Sequence, residues 1–412
     1  MLDQTILAEI RRLVQQELPA AVSLRHHIHA HPELTWQEER TAATVTEHLR
    51  AIPGMEVTEG VGRLGVVGLL QGDSPGPVIG LRADMDALPI EETTPGIDYR
   101  SRHKGVMHAC GHDGHTANLM GAARILGAMR SRLKGAVKFI FQPAEEGGGG
   151  ADVMCRDGVL ENPDVDMIFG MHGWPEAPCG QIWVKDGPLM AANSGLQIAV
   201  EGTGCHAAFP HLGTDQVLVA ARIVDGLQAV ISRVRPPVEP ACLTIATIHG
   251  GTADNVIPAR VELTGTLRTV TEATRDRLEA AIRQVAGSLA DAHGARAQVR
   301  IEHNYPVTRN HRAPTDWLEQ VAVHTLGRDG VHRLADPVLG AEDFSYYLQR
   351  IPGSFFFLGM NPDPAGSYPS LHNCNYNFND AALPRSMELF AALGLCRQSL
   401  PGKEGADRPP SA

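Results

Sequence analysis

Apolar and polar residues follow two different periods in the first half of the chain. Short apolar runs predict buried strands at Gly65–Leu70, Val78–Arg82, Val137–Gln142 and Met167–Met171. Apolar residues at helical spacing predict helices at Thr5–Ala30, Glu38–Ala51, His115–Ser131 and Gly150–Asp157. Strands that alternate with helices in this way predict an α/β domain, a mixed sheet with helices on both faces.

The middle of the chain has a different pattern. Leu196–Glu201, Leu243–His249 and Arg260–Arg268 alternate apolar with polar residues, as half-exposed strands do. Two long amphipathic stretches, Asp215–Val234 and Thr271–His293, predict helices. An antiparallel sheet with two helices is a compact α+β unit, which we place at residues 184–303.

The α/β pattern resumes after this unit. Helices are predicted at Thr315–Leu326, Ala341–Gln349 and Ala381–Leu395, and a strand at Ser354–Leu358. A chain of 412 residues is long enough for two domains. We therefore expect a catalytic domain in two parts, 1–183 and 304–400, an inserted domain at 184–303 and a disordered tail at 401–412.

Composition excludes several classes of protein. The net charge of −11, without a run of Lys or Arg, makes nucleic acid and anionic membranes poor partners. No apolar stretch approaches 18 residues, and Glu9 and Arg11 interrupt the apolar residues near the start, so we expect neither a transmembrane helix nor a secretion signal. Seven cysteines without paired spacing do not form a disulfide framework, and we expect a cytoplasmic protein.

The segment Met107–His115 is the densest group of candidate metal ligands. His108, Cys110, His112 and His115 supply nitrogen and sulfur donors, a mixture that Zn²⁺ accepts. The glycine between Cys110 and His112 lets the backbone turn so that both donors reach one ion. The alternative is a packed cysteine beside surface histidines.

Two adjacent carboxylates follow a predicted strand. Glu145 and Glu146 come directly after Val137–Gln142, and neighbouring side chains on an extended chain point in opposite directions. One carboxylate would then bind a metal while the other acts as general base, as a metal-dependent hydrolase requires. The alternative is a solvated pair of glutamates at a strand end.

Three further candidates lie beyond predicted strands or in a loop. His172 is predicted to end the strand Met167–Met171, at the sheet edge where α/β proteins bind ligands. Asp84 and Asp86 follow Val78–Arg82, and such an aspartate more often orients a ligating imidazole than binds the metal itself. His372 lies in a loop rich in Asn and Pro, which by itself indicates little.

Taken together, these segments resemble the hippurate hydrolase and N-acyl-amino-acid amidohydrolase family. This family includes the auxin-conjugate amidohydrolases and belongs to the aminoacylase–carboxypeptidase group of di-metal peptidases. The resemblance runs in order from about residue 25 to residue 395. Its matching segments are Arg25–Leu34, Arg82–Pro89, Met107–His115, Gln142–Gly147, Met171–His172, Gly202–His211, Gly250–Pro258, Gly265–Arg268, Gly340–Phe344 and Leu371–His372.

The resemblance implies a centre with two divalent metal ions per subunit. Glu145 matches the general base, and Asp86 matches an acid that supports the ligands. Asp84 and Cys110 stand where the wider group has His and Asp, which indicates the amidohydrolase branch. His108 and His115 would support the site rather than bind metal. The residues that match the ligands are Cys110, His112, Glu146, His172 and His372.

The resemblance also implies that the inserted domain is a lid that dimerises. His206 matches a histidine that polarises the scissile carbonyl in the partner subunit's site, and Asn255 matches a residue that lines the site. Arg268 matches an arginine that holds the substrate carboxylate, a task that suits the planar guanidinium. The chain departs from its relatives at Cys205, where they usually have glycine, and a thiol there would narrow the pocket.

The expected activity is hydrolysis of the amide bond of N-acyl L-amino acids, with aromatic acyl groups as in hippurate, to a carboxylic acid and an amino acid. A carboxypeptidase or dipeptidase, or an aromatic aminohydrolase, with the same di-metal centre is the alternative. A non-catalytic metal-binding relative is the third hypothesis, and it conflicts with the fact that every matched position is filled.

The donors suit Mn²⁺ or Zn²⁺, with Co²⁺ or Ni²⁺ as further candidates. The expected partners are a small-molecule substrate and a second copy of the chain, as a homodimer or a dimer-based tetramer.

Overall fold

The computed structural model describes residues 1–363 and 365–396, and these residues fall into two units. The first unit comprises Met1–Gly187, Arg309–Ala335 and the described residues between 343 and 396. The second unit comprises Pro188–Thr308 and Asp336–Glu342. The tail expected at 401–412 lies outside the described residues.

Both units contain β-strands. In chain order they are β1 (Met55–Val61), β2 (Gly65–Gln71), β3 (Ser74–Asp84), β4 (Lys134–Gln142), β5 (Met167–Pro178), β6 (Ile182–Val184), β7 (Gly187–Met190), β8 (Ala192–Glu201), β9 (Cys205–His206), β10 (Ala241–Gly250), β11 (Val256–Ile257), β12 (Arg260–Thr269), β13 (Arg296–Tyr305), β14 (Thr308–Asn310), β15 (Val331–Arg333) and β16 (Gly353–Asn361).

The α-helices are numbered in the same way along the chain. They are α1 (Gln4–Ala30), α2 (Glu39–Arg50), α3 (His112–Ala128), α4 (Gly150–Arg156), α5 (Gln216–Arg233), α6 (Glu272–Ala292), α7 (Arg312–Leu326), α8 (Ser345–Leu348) and α9 (Leu383–Leu395).

The first unit is built on an eight-stranded sheet with the order β1-β2-β4-β3-β5-β16-β6-β15. The pairs β3–β4, β3–β5 and β5–β16 are parallel, whereas β1–β2 and β2–β4 are antiparallel. Helices α1, α3 and α9 pack on one another, and α7 packs against β16. A shared core of aliphatic and aromatic side chains joins these helices to the sheet. The predicted α/β class with a mixed sheet is confirmed.

The second unit has a four-stranded antiparallel sheet with the order β10-β12-β8-β13. Helices α5 and α6 pack on each other and bury Ile223, Leu227 and Ile282 against the sheet. Strand β13 was not predicted because its residues are mostly polar and half or fully exposed. The main stretch of the unit runs from Pro188 to Thr308, against the expected 184–303, and β13 itself continues to Tyr305.

Three predicted element limits are wrong near the candidate site. Helix α3 begins at His112 rather than at His115, because Gly111 makes the preceding turn at φ 87° and Gly114 packs within the helix against the Phe378 ring. Strand β5 continues to Pro178, so His172 lies inside the strand and not at its end. Of the helix predicted at Ala341–Gln349, only Ser345–Leu348 is α-helical.

Candidate metal centre

Side chains from four separate segments of the first unit converge on one cluster. Cys110 precedes α3 and His112 is its first residue, whereas His172 lies in β5. Glu145 and Glu146 follow β4, and His372 lies in the loop after β16. The donor atoms lie within 4.8 Å of one another in overlapping groups, which are Cys110–His112–His172, Cys110–Glu146–His372 and His112–Glu145–Glu146. The five predicted ligands and the predicted base are thus brought together.

The shortest donor separations lie around Cys110 and Glu146. The Sγ atom of Cys110 is 3.3 Å from Nε2 of His172. The Oε1 atom of Glu146 is 3.3 Å from Nε2 of His372 and 3.9 Å from Nε2 of His112. Cys110, His112 and Glu146 each belong to more than one group, so the groups form one continuous cluster of donors.

The chemistry of these donors fits metal ions. The Nε2 atom of His112 is buried without a hydrogen-bond partner, which is costly unless a ligand satisfies it. Burial and the carboxylates of Glu146 and Glu145 raise the pKa of the Cys110 thiol well above its ordinary value, so a nearby cation is needed to form the thiolate. Burial alone would lower the pKa of His112, but Asp84, Asp86 and Glu146 raise it to about 10. The excess of negative charge in the cluster therefore favours cations.

Asp86 contacts both a candidate ligand and the loop that carries the two glutamates. Its Oδ1 atom lies 3.2 Å from Nδ1 of His112, which leaves Nε2 of that imidazole to face the other donors. The carboxylate also accepts hydrogen bonds from the backbone N–H groups of Glu145, at 3.1 Å, and Glu146, at 2.9 Å. One side chain thus orients a ligand candidate and the loop that carries both glutamates.

Asp84 and His115 are hydrogen-bonded to each other next to the cluster. Nδ1 of His115 lies 2.7 Å from Oδ1 of Asp84, and Nε2 of His115 accepts the backbone N–H of Gly173 at 2.9 Å. Both nitrogens of this imidazole are therefore occupied, and no lone pair is left for a metal. Arg82 donates to the other oxygen of Asp84 at 2.6 Å.

His108 is buried beside this cluster but belongs to none of the groups of donors. Burial lowers the pKa of its imidazole to about 4, so the side chain is neutral at physiological pH. That His108 supports the site and does not bind metal stays a prediction.

The loop that carries Glu145 and Glu146 differs from the expected extended geometry. Ala144 has φ 56°, in the left-handed region, and the chain turns so that both carboxylates approach His112. The prediction that they point in opposite directions is therefore wrong. Glu38 accepts the backbone N–H of Ala144 at 2.8 Å, and Glu145 accepts the N–H of Asp343 at 3.3 Å.

Backbone hydrogen bonds hold His172 by its imidazole and His372 by its main chain. Nδ1 of His172 lies 2.8 Å from the carbonyl oxygen of Gly173 and donates to it, so Nε2 faces Cys110 with its lone pair. His372 has φ 62°, and its backbone N–H donates to the carbonyl of Ala109 at 2.8 Å. Its side chain is 52% exposed, so His372 lies at the open side of the cluster.

The second unit holds the three remaining predicted residues. His206 in β9 pairs with Val256 in β11, and the N–H of Ala207 donates to the carbonyl of Asn255 at 3.0 Å, so His206 and Asn255 are neighbours. Arg268 lies in β12 and is partly buried, which lowers the pKa of its guanidinium. Among the described residues, no carboxylate forms an ion pair with Arg268.

Several polar residues around the cluster, most of them buried, received no role from the sequence. Arg82 joins Asp84 to Asp343, whose Oδ1 atom accepts from Nη2 at 2.9 Å. Gln142 donates to both oxygens of Asp343, and Thr35 donates to Asp86 at 2.9 Å. The available signal was the presence of charged residues in apolar strand segments, since buried Arg and Asp are rare without a paired role.

This fold and this cluster of nitrogen, sulfur and carboxylate donors define a metal-dependent hydrolase. A family model for Peptidase family M20/M25/M40 matches residues 80–395, and the chain belongs to this family. No helix of the described residues is long and apolar enough to cross a membrane.

Similar proteins include enzymes with different substrates. Thermostable carboxypeptidase 2 of Saccharolobus solfataricus is 39% identical over 380 residues, 91% of this chain and 94% of that protein. N-acetyl-L-cysteine deacetylase of Bacillus subtilis is 39% identical over 355 residues, 85% and 82% of the two chains. The crystal structure of the YXEP protein of Bacillus subtilis, a dinuclear metal-binding peptidase of the M20 family, matches with a TM-score of 0.78 and 34% identity over 93% of this chain and 98% of that one.

Proposed function

We propose that the protein hydrolyses the amide bond of N-acyl L-amino acids, with hippurate-like aromatic acyl groups, and releases a carboxylic acid and an amino acid. The observation that carries the proposal is the placement of the Glu145 carboxylate beside His112 and Glu146, two of the five candidate ligands. The deacetylase among the relatives acts on an N-acyl amino acid, which supports the same substrate class.

We assign two divalent ions, Mn²⁺ or Zn²⁺ with Co²⁺ or Ni²⁺ as alternatives, to Cys110, His112, Glu146, His172 and His372. When bound, such ions polarise a carbonyl oxygen and lower the pKa of water toward neutrality. Asp86 keeps the His112 imidazole in the orientation that ligation needs.

Glu145 acts as the general base in this proposal. Its carboxylate takes the proton of the attacking water and then gives it to the departing amine. The hydrogen bond from the Asp343 N–H to Oε1 holds this carboxylate in place. A side chain that removes and returns a proton in this way contributes about 10²–10⁴-fold to the rate.

His206 is proposed to polarise the substrate carbonyl of the partner subunit's site. Its Nδ1 atom accepts the N–H of Ala208 at 3.0 Å, so the neutral imidazole has its proton on Nε2 and can donate there. A well-placed donor to a developing oxyanion is worth about 3–4 kcal/mol. Asn255, directly before β11, is proposed to line the same site.

Arg268 is proposed to hold the substrate carboxylate. The guanidinium is partly buried and has no ion pair among the described residues, so a substrate carboxylate would supply the missing charge. The planar fork of an arginine binds a carboxylate through two parallel hydrogen bonds.

We further propose that the second unit forms a homodimer, or a dimer-based tetramer, and that the protein is cytoplasmic. Exposed apolar side chains of this unit support self-association, and they include Phe209, Leu212, Val217, Leu218 and Ile248. All seven cysteines are free, as expected in a reducing compartment.

A panel of substrates tests the proposed activity. The metal-free protein is loaded with Mn²⁺, Zn²⁺, Co²⁺ or Ni²⁺ and offered hippurate, N-acetyl amino acids, dipeptides with a free amino group and an aromatic amide without a carboxylate. We expect the highest kcat/KM for an N-acyl amino acid.

The second candidate is a carboxypeptidase or dipeptidase, which the carboxypeptidase among the relatives favours. Faster cleavage of the dipeptides would replace the proposal with this activity. Cleavage of the aromatic amide alone would indicate an aminohydrolase. Metal binding without any hydrolysis would indicate a non-catalytic relative.

A further inference from the structure

A cluster of buried charges lies at the end of α1 and has no part in the proposed chemistry. Arg25, His29 and Asp113 have fully buried side chains. Nη1 of Arg25 donates to Oδ2 of Asp113 at 2.9 Å, and Nδ1 of His29 lies 2.9 Å from the same oxygen. Burying charges is expensive, and an apolar group of similar volume would often serve stability as well. The cluster therefore calls for a reason beyond stability.

The guanidinium of Arg25 joins the two segments that carry His112 and His372. Asp113 directly follows His112 in the first turn of α3. Nε of Arg25 donates to Asp380, and Nη1 also donates to Oδ1 of Asn377 at 3.1 Å. Asn377 and Asp380 follow His372 along the chain, in the loop that leads to α9.

We propose that Arg25 is a positioning residue of the metal centre, which sets the separation of His112 and His372 through Asp113 on one side and Asn377 and Asp380 on the other. A rigid link is needed because His372 lies in an exposed loop, whereas His112 is buried in a helix. The planar fork of arginine suits the task, since its donors have a fixed geometry that the flexible lysine ammonium lacks.

The same helix offers a matched control. Nε of Arg11 donates to Oε1 of Glu388 at 2.8 Å, and Nη2 donates to the carbonyl of Thr325. Arg11 therefore also fastens α1 to the C-terminal part of the first unit, but it contacts neither segment that carries a ligand. Substitution of Arg11 reports on the anchoring of α1 alone.

The test measures metal affinity, so it rests on the proposed ligands but not on the proposed substrate. The metal-loaded full chain is titrated with a competing chelator as wild type, Arg25→Lys and Arg11→Lys. We expect Arg25→Lys to weaken binding about 10–100-fold, as loss of a supporting partner does at other metal sites. Arg11→Lys should bind metal as the wild type does. With Co²⁺ bound, the visible absorption of Arg25→Lys should also change, because that absorption reports ligand geometry.

A second variant, Asp113→Asn, keeps the shape of the side chain and removes its charge. It should weaken metal binding in the same way as Arg25→Lys. Wild-type affinity and an unchanged Co²⁺ spectrum in either folded variant would overturn the proposal. If neither variant folds even at saturating metal, the cluster serves folding and not positioning, which would overturn it as well. Wild-type protein that binds metal but hydrolyses no N-acyl amino acid would count against the proposed function, whereas the positioning role of Arg25 is judged on metal affinity alone.

Discussion

Asp86 holds His112 through a contact of 3.2 Å between Oδ1 and Nδ1, and the same carboxylate accepts the backbone N–H groups of the two glutamates. The orientation of an imidazole and the conformation of the Glu145–Glu146 loop thus depend on one side chain. The buried nitrogen Nε2 of His112 is left for a metal ion.

Replacement of Asp86 should therefore disturb metal binding before it disturbs the fold. We expect Asp86→Asn to lower metal affinity about 10–100-fold, because a neutral amide holds the imidazole and the loop less firmly. Competition with a chelator measures the change. Asp157→Asn is the control, since Asp157 accepts the Gly62 N–H at 2.8 Å away from the cluster. Equal affinity in both variants would refute the role of Asp86.

The adjacent glutamates should respond in opposite ways to the same change. Glu145→Gln should retain its metal content and lose about 10²–10⁴-fold in kcat, because only the proton acceptor is removed. Glu146→Gln should instead lose metal, since its carboxylate approaches His372 and His112. Metal analysis of the purified variants and steady-state kinetics separate the two outcomes. An active Glu145→Gln variant would show that the base is elsewhere.

The sequence predicted which side chains lie together better than it predicted their geometry. Cys110, His112 and Glu146 stand in short motifs with recognisable donors, so they could be chosen as candidate ligands without a structure. The turn at Ala144 could not be inferred, because a positive φ at an alanine leaves no local signal. Arg82 and Asp343 are 261 positions apart, and no local pattern predicts such a contact.

The strands and helices, too, were predicted best where the local sequence pattern is clear. Strands with apolar runs, such as β4, were predicted close to their observed limits. The polar strand β13 was not predicted, because its residues are mostly exposed and lack the apolar run of a buried strand. Glycine disfavours helices in general, and the predicted helix begins only after Gly114. In the structure Gly114 lies within α3, because a larger side chain there would collide with the Phe378 ring.

Arg268 should determine affinity for substrates that have a carboxylate. Loss of hydrogen bonds to a charged group costs about 1.5–3 kcal/mol, so Arg268→Ala should raise KM about 10–100-fold for an N-acyl amino acid. The same substrate with a carboxamide in place of the carboxylate should show no such change. Arg260→Ala is the control on the same strand, because Arg260 is exposed and paired with Glu201 and Glu262. Equal effects on both substrates would exclude a carboxylate clamp.

His29 should make stability depend on pH above neutrality. Burial alone would lower the pKa of this imidazole, but Asp113 and Glu92 raise it to about 9, from an ordinary value of 6.5. A raised pKa means that the protonated form stabilises the fold, fully below pH 6.5, and that this stabilisation is lost as the pH rises through about 9. The shift corresponds to about 3 kcal/mol. We therefore expect the free energy of unfolding at saturating metal to fall between these pH values.

The contribution of His29 is isolated by comparison with His29→Gln, which has no titrating imidazole at this position. Urea unfolding at a series of pH values should give a stability difference between the two proteins that shrinks as the pH rises from 6.5 to beyond 9. His332→Gln, at an exposed position, should keep the wild-type dependence. A constant difference between wild type and His29→Gln would mean that the imidazole is neutral in the folded protein. Asp113 would then be balanced by Arg25 alone.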